Sequence, residues 1–116
     1  MSGSRNYLAP YIILSNGDMS QASLTSTVTN IKNLDNICVY LSWTGTPTGT
    51  FNVYGNLTND TSNGVPMSFA TSPVASGSAG SILIDMNNLS FPYLYVTYTK
   101  TSGTGTLTAT ISGKGW

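Results

Sequence analysis

The side chains able to perform acid-base or metal chemistry are few in this 116-residue chain and are scattered along it. Four cationic and four anionic residues give a formal net charge of zero, and the sequence contains no histidine and no glutamate. These groups are Arg5, Lys32, Lys100, Lys114, Asp18, Asp35, Asp60 and Asp85. Since histidine and paired carboxylates supply most general acids, general bases and zinc ligands, isolated aspartates favour neither catalysis nor a metal site. We therefore predict a protein that is not an enzyme and that uses no metal and no cofactor.

The scarcity of charge also limits the partners. Four scattered cations would release few counterions from nucleic acid and would bind anionic lipid weakly, so neither partner is expected. The hydrophobic fraction of 40% is ordinary, which argues against charge-driven disorder, and the length suits one domain. These properties favour a non-catalytic binding or structural module.

The single cysteine, Cys38, lies inside an apolar run and has no intramolecular disulfide partner. We predict that it is a small buried hydrophobe, with a reactive or interchain thiol as the alternative. A chain without disulfides fits synthesis in the cytosol. The apolar stretch near the N-terminus is interrupted by Pro10 and precedes no cleavage-like site, so we expect no signal peptide and no membrane-spanning segment.

Short alternating runs of Thr, Val, Ile, Tyr and Phe, separated by Gly, Pro, Asn and Ser, predict β-strands and no helix. The run 36–43 is apolar on both faces and is expected to be a central strand. Pro10 places the first strand, 7–15, at a sheet edge or start, and Asn16-Gly17-Asp18 predicts a turn after it. Further strands are predicted at 20–31, 50–55, 65–70, 82–86, 93–100 and 106–111.

This strand count predicts the fold class. Seven or eight short strands at this spacing are typical of a single-domain, antiparallel β-sandwich or jelly roll. We place this domain at residues 7–113, between an N-terminal arm (1–6) and a C-terminal tail (114–116).

Two segments, 36–55 and 93–113, share one pattern: an apolar strand, a Thr/Gly-rich connection and a strand in which threonine alternates with other residues. Each is predicted to be a long β-hairpin. Chance similarity in a chain so rich in threonine explains the likeness better than duplication does.

The loop 59–64 offers oxygen atoms of the kind that Ca²⁺ takes, but it lacks the ordered carboxylates and terminal glutamate of a calcium loop. A turn-forming loop is the favoured interpretation.

Six aromatic residues could form a platform on which a sugar stacks. Their alternation within strands is more simply explained by core and cross-strand packing. These residues are Trp43, Tyr40, Tyr54, Tyr93, Tyr95 and Tyr98.

Three stretches, 41–54, 80–85 and 93–114, resemble small β-sandwich virion proteins of tailed bacteriophages. The resemblance implies a structural protein of the capsid or tail, without catalytic residues. A surface with so few charges suits subunits that are covered by neighbours. We therefore expect a decoration or cement protein on the outside of the phage head, with the major capsid protein and further copies of itself as partners. The alternative is a receptor- or carbohydrate-binding module of a tail or head fibre.

The candidate partner-binding residues lie at the two ends of the chain. Arg5, Tyr7 and Tyr11 belong to the N-terminal arm and first strand. Trp116 follows a Gly-Lys-Gly tether, and either folds back over the sandwich or anchors in a neighbouring subunit.

Overall fold

The computed structural model describes residues 6–32, 34–62, 64–66, 73–87 and 91–115. In these ranges the chain forms ten β-strands, and no helix long and apolar enough to cross a membrane is found there. The strands are β1 (Asn6–Asp18), β2 (Ser23–Thr25), β3 (Thr29–Asn30), β4 (Asn36–Trp43), β5 (Thr48–Asn56), β6 (Val65–Pro66), β7 (Val74–Ser76), β8 (Gly80–Met86), β9 (Tyr93–Ser102) and β10 (Thr106–Gly115).

The strands build two antiparallel sheets. The first sheet has the order β1-β10-β4-β8, and the second has β9 and β5 at its centre, with β2 and β3 on one side and β6 and β7 on the other. Counting each broken pair as one strand gives eight strands with the connectivity of a jelly roll. The predicted all-β sandwich is therefore confirmed, as are the central position of β4 and the edge position of β1.

The core lies between the inner faces of the two sheets. Trp43 of the first sheet packs on Phe51 of the second, with ring centroids 5.0 Å apart, and Phe51 packs on Tyr98 at 5.1 Å. Aromatic pairs in such tilted arrangements add to the free energy of burial. The other large core residues are Ile13, Met19, Leu24, Ile31, Ile37, Val39, Leu41, Val53, Ile84, Met86, Leu94, Val96, Leu107 and Ile111.

The two predicted hairpins are wrong. β4 lies in the first sheet and β5 in the second, while β9 lies in the second and β10 in the first. Each connection crosses between the sheets, and the two arches lie side by side because β4 pairs with β10 and β5 with β9. Alternation fixes which face of a strand is buried but not which strand lies beside it. Crossing lets the apolar faces of successive strands pack on each other across the core.

The corners of the two arches contact each other. The Thr46 amide donates to the Thr104 carbonyl at 2.8 Å, and the Thr44 and Thr106 hydroxyls are 2.7 Å apart. Gly103 has a φ of +83° at this contact, and a Cβ there would collide with the Thr46 carbonyl oxygen. Glycine is required because only a residue without Cβ allows this close backbone approach.

The predicted turn at residues 16–18 is also wrong. β1 continues through Asp18, and the φ of +50° at Asn16 lies beside a register shift between Leu14 and Gly17. A β-bulge inside a strand can use the same left-handed conformation as a tight turn. The chain turns after Asp18 instead, where the Asp18 carboxylate accepts the Ser20 amide at 2.9 Å.

Candidate functional site

The outer face of the first sheet carries a row of side chains that crosses all four strands. Ile12 of β1 is opposite Thr110 of β10, Thr110 is opposite Tyr40 of β4, and Tyr40 is opposite Leu83 of β8. Ile12, Tyr40 and Leu83 are 55%, 43% and 63% exposed. We call these four residues the apolar row. Large apolar side chains aligned at the surface indicate a contact site more than scattered ones do.

The apolar row was not predicted from the sequence. Tyr40 belongs to a strand that is apolar on both faces, and this pattern was interpreted only as the sign of a central strand. Leu83 lies between Ile82 and Ile84, which point towards the core side. The sequence does show a large apolar residue at the outward position of several strands. Only the register between the strands shows that these residues are aligned across the sheet.

Cys38 lies on the same outer face, so its predicted burial as a core hydrophobe is corrected. The residue is half-buried, opposite Ser112 on one side and Asp85 on the other. Partial burial, and then the nearby Asp85 carboxylate, raise the pKa of the Cys38 thiol, which a hydrogen bond with Ser112 opposes. The thiol is therefore protonated at neutral pH. Alternation decides this orientation, because Ile37 and Val39 take the inward positions of the strand.

The predicted partner-binding residues lie at the β1 side of this sheet. Tyr11 is exposed, and the backbone of Tyr7 pairs with that of Lys114. Arg5 and Trp116 lie outside the described residues. Their chain neighbours Asn6 and Gly115 are paired in β1 and β10, which brings the two described ends of the chain together.

The aromatic residues do not form one platform. Trp43, Tyr95 and Tyr98 are buried, whereas Tyr40 is exposed on the first sheet. Tyr54 and Tyr95 lie opposite each other on the outer face of the second sheet and stack with centroids 5.0 Å apart. Core and cross-strand packing, the simpler interpretation, accounts for most of the set.

The loop after β5 is built around Asp60. Its Oδ1 accepts hydrogen bonds from the Thr58 hydroxyl (3.1 Å), the Ser62 amide (3.1 Å) and the side-chain amide of the buried Asn56 (3.1 Å). One carboxylate oxygen thus shapes the turn, as expected for aspartate in a loop. The described residues contain no cluster of three or more histidine, cysteine or acidic groups. The turn-forming interpretation accounts for the contacts of this loop.

An apolar cleft of about 570 Å³ opens beside this loop. Leu57 and Val65 are strongly exposed at its rim, and Phe91 lies against Gly55, where a Cβ would approach the ring to 2.8 Å. Asn56 and Thr58 supply the polar groups of the lining. Concave, mostly apolar sites with a few polar groups are typical of small-ligand binding.

Three further charged residues make local contacts. Hydrogen bonds from the Ser20 hydroxyl and amide lower the pKa of Asp18, and Lys100 donates to the Ser20 carbonyl at 2.9 Å. Lys32 lies over the Tyr93 ring, 5.3 Å from its centroid. These three residues therefore stabilise one turn and one ring contact.

Comparison with solved structures places the fold among sandwiches that serve several kinds of protein. The sequence itself matches no protein-family model and no curated protein. The structural likenesses have identities of 12% or less, so they establish the fold alone.

Three of these structures illustrate the range. A chain in the structure of the infectious bursal disease virus Gx strain is 11% identical with a TM-score of 0.60; the match covers 98% of this chain but 33% of that one. The SPBc2 prophage-derived protein YomS is 8% identical with a TM-score of 0.57, over 97% of both chains. Chitosan-binding module 1 from a chitosanase/glucanase of Paenibacillus sp. IK-5 is 12% identical with a TM-score of 0.50, over 90% of this chain and 93% of that one.

Proposed function

We propose that this chain is a non-enzymatic virion structural protein that decorates an assembled phage head. It would be made in the host cytoplasm, bind the major capsid protein at the capsid surface, and stabilise the shell. The observation that carries the proposal is the apolar row on the outer face of the first sheet. The likeness in fold to a virus chain and to a prophage-derived protein supports it.

The chemistry of this face suits a protein partner. Around the apolar row the outward positions are mostly hydroxyl-bearing, with Asp18, Asp85 and Lys114 as the charged residues among those described. Such a face is desolvated at low cost, because few ions lose their hydration when it is covered. The exposed Tyr11 of β1 extends the proposed contact to the edge of the sheet.

The test uses phage heads assembled without this protein. Purified chain should bind them in many copies and raise the temperature at which they release DNA. Tyr40→Asp places a charge at the centre of the apolar row and should abolish most of the binding. Leu57→Asp, at the cleft beside the second sheet, is the matched control and should bind as the natural chain does. Natural chain that leaves heads unbound and their heat resistance unchanged would contradict the proposal.

A second candidate function is recognition of a glycan receptor. The apolar cleft at Leu57, Val65 and Phe91 is the observation that favours it, and the fold likeness to a chitosan-binding module adds support. On a glycan array, selective binding should be lost in Leu57→Asp and kept in Tyr40→Asp. The two variants therefore have opposite outcomes for the two functions, and binding to no glycan would remove the second candidate.

A further inference from the structure

The edges of the two sheets differ in how well they are protected against pairing with another strand. β1 contains Pro10 and three register shifts along its pairing with β10. The edges of the second sheet are broken into the short strands β2 and β3, and β6 and β7. Prolines, bulges and short strands are the usual devices that block edge-to-edge association. Three of the four edges in the described part of the chain therefore carry one.

β8 is the edge without such a device. Its seven residues pair with β4 in one unbroken register, and it contains neither proline nor lysine. Within the described ranges, the backbone groups of β8 make hydrogen bonds only with β4. The other side of the strand is a regular row of donors and acceptors, which a further strand can pair with.

We propose that the occupant of this edge is β8 of a second copy, paired antiparallel about a two-fold axis at Leu83. The inference gives a geometry to the self-association expected from the sequence, and it does not depend on head binding. Leu83 is the midpoint of Gly80–Met86, so this register pairs all seven residues of both strands. Association of identical chains by a two-fold axis is the commonest form of oligomer.

The side chains of β8 are self-complementary in this register. Leu83 meets Leu83 of the second copy on the outer face, and Ile82 meets Ile84 of the second copy on the inner side. Asp85 lies opposite Ser81 of the second copy, so the two carboxylates avoid direct opposition. Centring the axis at Ile84 would instead set each Asp85 against Leu83. A one-residue slip would place outer-face residues against inner-face residues, which the pleat forbids.

Pairing at this edge also joins surfaces already described. The two first sheets would form one eight-stranded sheet, and the apolar row would continue from one copy into the other through Leu83. The net charge of zero leaves no overall repulsion between the copies. A second copy thus accounts for both the unguarded edge and the apolar residue at its centre.

The first test measures association of the purified full-length chain by sedimentation equilibrium. Leu83→Lys sets like charges against each other at the axis and should raise the dissociation constant by about tenfold or more. Ser81→Lys sets a cation opposite Asp85 of the second copy twice in each dimer, and should lower it at low salt. Leu57→Lys, at an exposed position that follows β5 of the second sheet, is the control and should leave the dissociation constant unchanged. Circular dichroism establishes that each variant is folded.

The second test traps the axis by cross-linking. In a Cys38→Ser background, Leu83→Cys should give a disulfide-linked dimer rapidly under mild oxidation, since a residue on a two-fold axis meets its own copy. Leu57→Cys in the same background measures random collision. The proposal is overturned if the natural chain stays monomeric at millimolar concentration, if Leu57→Cys links as fast, or if Ser81→Lys weakens association.

The two proposals fail in different ways. Natural chain that stays monomeric and still binds heads would overturn the edge pairing and leave the decoration function intact. A dimer that passes both tests but binds no heads would leave the edge pairing intact and overturn the decoration function.

Discussion

At the scale of single residues, one buried hydroxyl group completes the hydrogen bonding of the second sheet. Ser26 is buried in the gap between β2 and β3, where its hydroxyl accepts the Val96 amide at 2.8 Å and donates to the Thr27 carbonyl at 3.2 Å. The side chain thus replaces a backbone acceptor where the ladder is interrupted. Alternation predicts a strand through 20–31, but it does not reveal that a side chain maintains the pairing.

Ser26→Ala should lower the free energy of unfolding by about 1–3 kcal/mol, because the buried Val96 amide loses its partner. Urea denaturation measures the change. Ser23→Ala, at an exposed position of β2, is the control and should change stability by less than about 0.5 kcal/mol. Equal effects of the two changes would mean that the Ser26 hydroxyl does not serve the ladder.

Tyr98 differs from Ser26 in the hydrogen bonding of its hydroxyl group. Its ring fills the core, but its hydroxyl is buried and has no hydrogen-bond partner among the described residues. Tyr98→Phe should therefore raise the free energy of unfolding by about 1 kcal/mol, since an unsatisfied buried group is removed. Tyr95→Phe, which loses the contact of its hydroxyl with the Thr61 carbonyl, should give no such gain. Destabilisation by Tyr98→Phe would reveal a partner for that hydroxyl.

The same tyrosines set the alkaline limit of stability. Burial raises the pKa of Tyr98, and burial followed by the neighbouring Tyr54 raises that of Tyr95. The folded state thus keeps two protons that the unfolded chain loses near pH 10, so the contribution of these tyrosines to stability is complete below about pH 10 and is lost as the pH rises further. Urea midpoints across the pH range should fall steeply above this point. The fall should be smaller in Tyr98→Phe, and an identical fall would assign it to other groups.

At the scale of elements, the crossing connections define the fold. Thr/Gly-rich segments after β4 and β9 predict a change of direction, and the sequence allows either a hairpin or an arch. The structure forms arches, with Gly103 against the Thr46 carbonyl. Gly77 has a similar φ of +87°, but its missing Cβ would meet only the Thr48 hydroxyl, at 3.5 Å.

These two glycines separate backbone strain from collision. Gly77→Ala should cost about 1–2 kcal/mol, the cost of placing a Cβ in the left-handed region. Gly103→Ala should cost clearly more, because the arches must also move apart. Thermal unfolding of both variants measures the difference, and equal losses would show that the corner contact contributes nothing beyond the backbone conformation.

At the scale of the whole molecule, scarce charge predicts weak dependence on salt. Two of the described lysines contact a carbonyl or a ring, and few charges lie near the apolar row. Between about 0.05 and 0.5 M NaCl, head binding and the unfolding midpoint should therefore change little, since screening acts only on charges. Ser81→Lys should make self-association dependent on salt, because it adds an ion pair with Asp85 of the second copy. A steep loss of head binding with salt in the natural chain would point to an ionic interface instead.

The sequence alone determined the β-class, the central position of β4 and the edge position of β1, because alternation, apolarity and Pro10 act locally along a strand. It also determined that the chemistry of the surface would be largely uncharged. Only the tertiary structure decided that Cys38 and Tyr40 face outward, that the two Thr/Gly connections cross between sheets, and that Ile12, Thr110, Tyr40 and Leu83 form one row. The physical reason is that a strand's pattern specifies its buried face, whereas its neighbours and register depend on all the strands packing together.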